Sequence, residues 1–157
     1  MVSLSQFLFP ACPDLLIEDI TLESKTVILS VRSTRTSVPC PACAHLSAKV
    51  HSRYVRVPTD LPWMEYGVRL YLEVRRFFCQ HEDCSCKTFA ESFPDLVQAH
   101  ARRTTRQARL LQEVAFALGG KAGACLARRW GCSASRDTLL RLLPSACLTR
   151  SSGAWSG

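Results

Sequence analysis

The chain has 157 residues, 47% of them hydrophobic and 21% charged, which is enough for one ordinary domain or two small ones. The first thirteen residues lack the basic segment of a secretory signal, and no apolar run reaches the ~18 residues of a membrane helix, so neither a secreted nor a membrane protein is predicted. Residues 1–100 hold ten Lys/Arg against eleven Asp/Glu, whereas residues 101–157 hold ten against two. This basic second half predicts a polyanionic partner, the plainer alternative being a well-solvated helix surface.

The N-terminal third is predicted to be an arm followed by a hairpin. Residues 1–13 are apolar and interrupted by two prolines, which indicates an arm that packs on the next element. Apolar and polar residues alternate on both sides of residues 23–25, so residues 16–33 are predicted to form a β-hairpin with its turn there. A polar link over residues 33–39 leads to the first cysteines.

Two cysteine pairs bracket the next stretch, and we expect them to bind one zinc ion. The pairs are Cys40 with Cys43 and Cys79 with Cys84. Alternation over residues 49–57 and 68–78 predicts two strands between them, with a proline-marked loop at 58–62, so the strands bring the second pair back to the first. Four soft thiolates in two short turns suit a tetrahedral, structural zinc site, and a chain without a secretory signal is expected in a reducing cytoplasm, where metal is favoured over disulfides.

The spacing leaves the fourth ligand open. Cys84 would make a four-residue turn after Cys79, Cys86 would need a six-residue loop, and the His81 ring would compete inside the same turn; Cys84 is favoured, with Cys86 second. Buried free thiols and a thioredoxin-type redox pair are the alternatives to zinc, although the redox mechanism has no place for a second pair. Because so small a sheet should not bury a large core, a metal staple is also expected on energetic grounds.

The period of the sequence becomes helical after residue 103. A first helix is predicted from Thr104 or Thr105 to the Gly119–Gly120 pair, and a third from Arg136 to residue 143, where Pro144 stops it. Between them, a short second helix over residues 121–130 is predicted to turn Ala122, Leu126 and Trp130 inward.

This spacing is typical of a helix–turn–helix, with a generic three-helix core as the alternative. Gly131 would make the turn, and the third helix would place its first turn in the major groove of DNA. The residues expected to contact bases or nearby phosphates are Ser135, Arg136, Thr138 and Arg141. The residues expected to contact phosphates are Arg102, Arg103, Arg106, Arg128 and Arg129. A second DNA or protein contact is predicted on the zinc-bearing part, through Arg53, Arg56, Arg75 and Arg76.

These motifs resemble a known family. Cys40-Pro-x-Cys43, His51-Ser-Arg-Tyr54, Asp60-Leu-Pro62, Arg75-Arg-Phe-Phe-Cys79, Cys84 and Phe89-Ala-Glu91 resemble the zinc-binding domain of bacterial insertion-sequence transposases of the ISL-three family. Ala101-Arg-Arg-Thr104, Leu118-Gly-Gly120, Ala122-Gly123 and Ser135 to Arg141 resemble the helix–turn–helix that follows it there. The resemblance spans roughly residues 12–143. Cys86 departs from it, since the family usually has a basic residue after the last knuckle.

The resemblance implies an α+β protein with a small zinc-ribbon β domain followed by a three-helix helix–turn–helix domain. The expected domains are 1–92 and 93–143, with an aberrant or disordered tail over 144–157. The family continues into a ribonuclease-H-like domain whose three carboxylates hold two metal ions. No acidic residue follows Asp137, so we expect a truncated transposase without its own catalysis.

The function expected from the resemblance is binding of zinc and of double-stranded DNA, at the terminal inverted repeats of the element in DNA transposition. The expected location is the bacterial cytoplasm, associated with the nucleoid, and the oligomeric state is open. A zinc-ribbon transcription regulator of the same architecture is the main alternative. A zinc enzyme is disfavoured because His51, His81 and Glu82 form none of the usual catalytic zinc motifs.

Overall fold

A computed structural model describes residues 3–143, a mixed α+β fold with its sheet in the N-terminal part and its main helices afterwards. This confirms the predicted α+β class. The predicted tail, residues 144–157, lies outside the described residues. In chain order the elements are α1 (Leu4–Leu8), β1 (Leu15–Glu23), β2 (Thr26–Ser33), β3 (Val38–Pro39), β4 (Leu46–Ser47), β5 (Val50–Arg56), β6 (Thr59–Trp63), β7 (Tyr66–Phe78), β8 (Thr88–Ala90), α2 (Thr105–Arg129) and α3 (Arg136–Leu142).

The long strand β7 is the centre of a six-stranded sheet. It pairs with β2 in parallel and with β5, β6 and β8 antiparallel, while β1 completes the hairpin with β2. Val68, Leu70, Leu72 and Val74 are buried on one face of β7, as the alternating pattern predicts. The predicted hairpin over residues 16–33 and the strand over 49–57 are therefore confirmed, within one or two residues at each end.

The core of this sheet is larger than the sequence led us to expect. Thirteen buried residues cover one face, contributed by the arm, by β1, β2 and β7, and by Phe93, Leu96 and Val97 after β8. The expectation of a small core was wrong because it left out the parallel pairing of β2 with β7, which adds the hairpin to the central sheet. Phe93, Leu96 and Val97 lie after residue 92, so the sheet core crosses the predicted domain boundary.

The prolines at 58 and 62 do not make the predicted loop. Residues Thr59–Trp63 form β6, which pairs antiparallel with the first residues of β7, with a register shift between Asp60 and Trp63. Pro62 lies inside that irregularity, where a missing N–H costs no ladder hydrogen bond. The Pro58 carbonyl still pairs with β7, because it accepts a hydrogen bond from the Leu70 N–H at 2.9 Å.

The helical part turns at Gly119 and forms its own small core. Gly119 has a φ of 71°, so α2 is helical on either side of a break at the predicted stop. Leu111 and Ala115 of the first half meet Ala127 of the second half and Leu139 of α3 in one buried cluster. By length and composition α2 would suffice to cross a membrane, but core helices of soluble proteins meet the same criterion, and the absence of membrane contact stays a prediction.

The inward face of the second half of α2 differs from the prediction. Ala122 is exposed and Trp130 keeps 39% of its surface accessible, whereas Gly123, Ala124 and Ala127 are buried. The smallest side chains face α3 because the helices approach closely: a Cβ at Gly123 would lie 3.0 Å from a methyl carbon of Leu139. A larger inward residue would hold the two helices apart.

The turn between α2 and α3 rests on the sheet. Gly131 has a φ of 76°, and a Cβ there would lie 2.9 Å from the backbone nitrogen of Gly67, at the start of β7. A Cβ at Gly67 would in turn meet the Gly131 carbonyl at 3.1 Å. Two glycines thus allow backbone-to-backbone contact between the sheet and the helical part.

Candidate metal centre and nucleic-acid interface

The four predicted thiols converge on one point. The sulfurs of Cys40, Cys43, Cys79 and Cys84 all lie within 4.8 Å of one another. Cys40 and Cys84 are 3.9 Å apart, and Cys43 and Cys79 are 3.6 Å apart. Four sulfurs at ~2.3 Å from a tetrahedral zinc would be ~3.8 Å from each other, and the two sulfur pairs at 3.9 and 3.6 Å are close to that spacing.

The first knuckle is a tight turn closed by the backbone. The Ala44 N–H donates to the Cys40 carbonyl at 2.8 Å, and Ala44 takes a left-handed φ of 59°. The Cys40 N–H in turn donates to the His45 carbonyl at 2.9 Å. These bonds put the first two sulfurs on the same side of the turn, next to the short β3–β4 ribbon.

The second knuckle follows directly from the end of β7. The Cys79 N–H donates to the Lys87 carbonyl at 2.9 Å, and the Cys84 N–H to the His81 carbonyl at 3.2 Å. Cys86 lies outside the four-sulfur group and directs its thiol at the Thr88 carbonyl, 3.3 Å away. The structure thus groups Cys84, rather than Cys86, with the other three sulfurs, and His81 lies beside His45, with 5.9 Å between ring centroids.

The thiols oppose one another's ionisation. At Cys40, burial raises the pKa, but N–H donors from Ala42 and Cys43 and the neighbouring thiols outweigh it and bring the pKa to about 6. At Cys79, the N–H of His81 lowers the pKa, but burial and the other thiols raise it to about 12. One thiolate thus forms easily while a neighbouring thiol keeps its proton, and a divalent cation removes this conflict by stabilising all four thiolates.

A separate small core surrounds the thiols. Val38, Phe77 and Phe89 are buried with the cysteines, and the Phe77 and Phe89 rings stack at 6.0 Å. Side chains alternate between the two faces along β7, and Val74 and Arg76 point to the main-core side. Phe77 lies between Arg76 and Phe78 and therefore points to the opposite side. The metal site therefore fixes the far end of the central strand, not its middle.

The arginines predicted on the zinc-bearing part are mostly engaged within the protein. Arg75 makes two hydrogen bonds with the buried carboxylate of Glu91, and Arg53 pairs with Glu73 at 3.4 Å. Arg56 donates to the carbonyls of Gln98 and Ala101 at 3.1 and 2.8 Å. Arg76 is exposed, and no ion pair is found for it among the described residues.

Most of the cations predicted to contact DNA are accessible. Arg102, Arg128, Arg129, Arg136 and Arg141 are all exposed. Ser135 is the N-cap of α3, with its hydroxyl accepting a hydrogen bond from the Thr138 N–H at 3.2 Å. Thr138 is half-buried and its hydroxyl lies 2.9 Å from that of Ser135. These positions remain predictions as DNA contacts.

Arg106 is not supported as a phosphate contact. Its guanidinium forms an ion pair with the fully buried carboxylate of Asp60, donates to the Leu8 carbonyl and lies over the Phe9 ring. Arg103 is half-buried, and its Nε lacks a hydrogen-bond partner among the described residues. The sequence does not distinguish an arginine that pairs with a buried carboxylate from one that faces solvent within the same basic stretch.

Sequence reasoning missed the network centred on Asp60. Its carboxylate accepts a hydrogen bond from the Thr104 hydroxyl at 2.7 Å, and its backbone carbonyl accepts one from the Gln107 amide at 2.6 Å. Gln107 also contacts the Cys132 sulfur at 3.4 Å, just after the turn that leads to α3. The signal that could have indicated it is the motif Asp60-Leu-Pro62, which places an acid in an otherwise apolar segment.

Comparisons with curated proteins and with solved structures find no match to the chain. A family model covers about a third of it, from the link before the first knuckle to Cys86. Residues 36–86 match the model described as the zinc-finger of transposase IS204/IS1001/IS1096/IS1165, so this segment, which brings the four thiols together, is similar to the zinc-binding part of those transposases.

Proposed function

We propose that this chain is the DNA-binding N-terminal part of a transposase, which recognises the terminal inverted repeats of its insertion sequence during DNA transposition. The observation that carries the proposal is the similarity of residues 36–86 to the zinc-binding part of transposases, in a chain with a strongly basic helical part. The zinc has an architectural role, and the chain acts on double-stranded DNA in the bacterial cytoplasm.

The second half of α2, the turn at Gly131 and α3 form the proposed helix–turn–helix. The left-handed glycine, the small buried residues of α2 and the capped start of α3 support it. α3 exposes Arg136 at its first turn and Arg141 at its last. In this arrangement the first turn would contact base edges, while Arg102, Arg128 and Arg129 would contact phosphates.

The sequence-specific part of this proposal is tested at Arg136. We expect Arg136→Ala to narrow the free-energy gap between an end-containing duplex and a scrambled one by about 1–3 kcal/mol, the value of one direct base contact. Arg136 gives a cleaner test than Ser135, because losing the Ser135 cap would also cost α3 about 1 kcal/mol. Fluorescence anisotropy with both duplexes measures the gap.

The matched comparison is the double variant Arg128→Ala/Arg129→Ala. It should weaken binding to both duplexes alike and reduce the salt slope by about one for each phosphate that the protein no longer neutralises. Arg32→Ala serves as the control, because Arg32 pairs with Glu18 on the β1–β2 hairpin. If Arg136→Ala reduced both affinities equally, the third helix would not be the element that reads sequence.

We expect no strand cleavage by this chain. Residues 101–157 contain Glu113 and Asp137 as their acids, too few for a site of three carboxylates that holds two metal ions. A nicking assay with magnesium or manganese and an end-containing duplex measures this. Reproducible cleavage by the purified 157-residue chain would show that it is a nuclease and not only a DNA-binding protein.

A further inference from the structure

One face of the central sheet is covered along most of β7 and open at its end. Val68 to Val74 alternate into the main core, but on the same face the strand continues with Arg76 and then Phe78, which are exposed. Phe78 keeps 36% of its surface accessible although it lies in the middle strand of the sheet. The protein therefore leaves an aromatic and a cationic side chain where the core pattern would continue.

The neighbouring strands extend this open face. In the register of the sheet, Tyr54 of β5 is paired with Val74, and Ser52 with Arg76. On the other side of β7, β8 places Ala90 beside Arg76 and Thr88 beside Phe78. We call the surface formed by Ser52, Tyr54, Arg76, Phe78, Thr88 and Ala90 the open sheet face.

Tyr54 stands between two hollows on this surface. Tyr54 lies on β5, beside Val74 of β7, and is 43% exposed. One hollow, of about 320 Å³, is lined by Tyr54, Arg56, Phe93 and His100 among others. The other, of about 540 Å³, lies across the strands and is lined by Tyr54, Arg76 and Thr88 among others. Tyr54 thus borders both hollows.

The charge around the open sheet face is positive. The ammonium group of Lys49 lies over the Phe78 ring at 5.5 Å from its centre, and the His51 and Phe78 rings form a T-shaped pair with 4.7 Å between their centroids. Glu91 also lines the first hollow, but it is buried and already paired with Arg75. Exposed aromatic rings with cations beside them on a rigid sheet are the features that bind unpaired bases by stacking and their phosphates by charge.

We propose that the open sheet face binds single-stranded DNA, with bases stacked on Tyr54 and Phe78 and phosphates held by Lys49 and Arg76. The inference extends the proposed DNA-binding function to a second surface, separate from α3. A paired base offers its flat face only to its neighbours in the duplex, so this surface should prefer unpaired nucleotides to duplex DNA.

The test uses the zinc-loaded full chain and a fluorescein-labelled oligothymidylate of about 15 nucleotides, near the upper site size of one single-strand-binding module. We expect Tyr54→Ala to weaken binding about 5- to 150-fold, the range for one stacked base, and Tyr54→Phe to stay within about twofold. Tyr71→Ala is the matched control, because Tyr71 is 40% exposed on the opposite face of the sheet. Zinc content and thermal unfolding verify that each variant is folded.

Several outcomes would overturn the inference: equal losses of oligothymidylate affinity in Tyr54→Ala and Tyr71→Ala, full affinity in Tyr54→Ala, or tighter binding of oligouridylate with the same dependence on Tyr54.

Titration of the end-containing duplex distinguishes this inference from the proposed function. Loss of duplex recognition with Tyr54-dependent oligothymidylate binding intact would refute the proposed function alone. Intact duplex recognition without such binding would refute this inference alone.

Discussion

Cys79→Ser is expected to abolish tight zinc binding and to unfold both knuckles, while the centre of the sheet stays folded. Structural zinc sites in isolated finger peptides contribute about 10–16 kcal/mol of apparent binding free energy, and the small core around Phe77 cannot replace it. The main core of thirteen buried residues is separate from the thiols, so it should survive. The small core expected from the sequence would instead have let the whole zinc-bearing part unfold without the metal.

Hydrogen exchange read by mass spectrometry measures this pattern directly. Protection should fall over residues 38–47 and 79–89 in the variant or after chelation, and persist in β2 and in the middle of β7. Cys86→Ser is the matched control, since Cys86 lies next to the site without contributing a sulfur to it. Equal zinc loss in Cys86→Ser, or loss of protection across the entire sheet, would contradict the separation of the two cores.

Asp60→Ala is expected to destabilise the protein by about 3 kcal/mol. Removing one partner of a buried ion pair costs about 3–5 kcal/mol, and the lower end applies because the Arg106 side chain keeps 34% of its surface exposed. The substitution also removes the acceptor of the Thr104 hydroxyl, which is buried at the start of α2. Because this network joins β6 to α2, the substitution should weaken the attachment of the helical part to the sheet.

Urea unfolding of the zinc-loaded chain measures the change. Asp14→Ala is the matched control: Asp14 pairs with Arg35 at the surface, where such pairs contribute about 0–1 kcal/mol. Asp60→Asn keeps an acceptor for Thr104 while removing the charge, so it should fall between the two. Equal effects of Asp60→Ala and Asp14→Ala would show that the buried network has no special weight.

The elements predicted correctly depend on local signals. Alternation of period two over residues 16–33 and 68–78 marks half-buried strands, and two close cysteine pairs on either side of a strand run mark a metal site. Gly119 and Gly131 take positive φ values that glycine tolerates best, so their effect on the helical part was also visible locally.

The fourth zinc ligand shows where local spacing reaches its limit. Both Cys84 and Cys86 could close a loop with Cys79, and spacing favours one without excluding the other. The tertiary structure decides, because the hydrogen bond from Cys84 to His81 shapes the turn while β8 directs the Cys86 thiol at Thr88.

By itself the sequence predicted the α+β class, the hairpin, the central strand and three of the four zinc-site thiols, Cys40, Cys43 and Cys79, because each is marked by a local period or a local cysteine spacing. Only the tertiary structure shows that β2 runs parallel to β7, that Arg106 forms an ion pair with Asp60, and that Tyr54 and Phe78 lie on the same open face of the sheet. These contacts join residues that are distant in sequence. Their energies come from burial and pairing across the sheet, which no local period or spacing encodes.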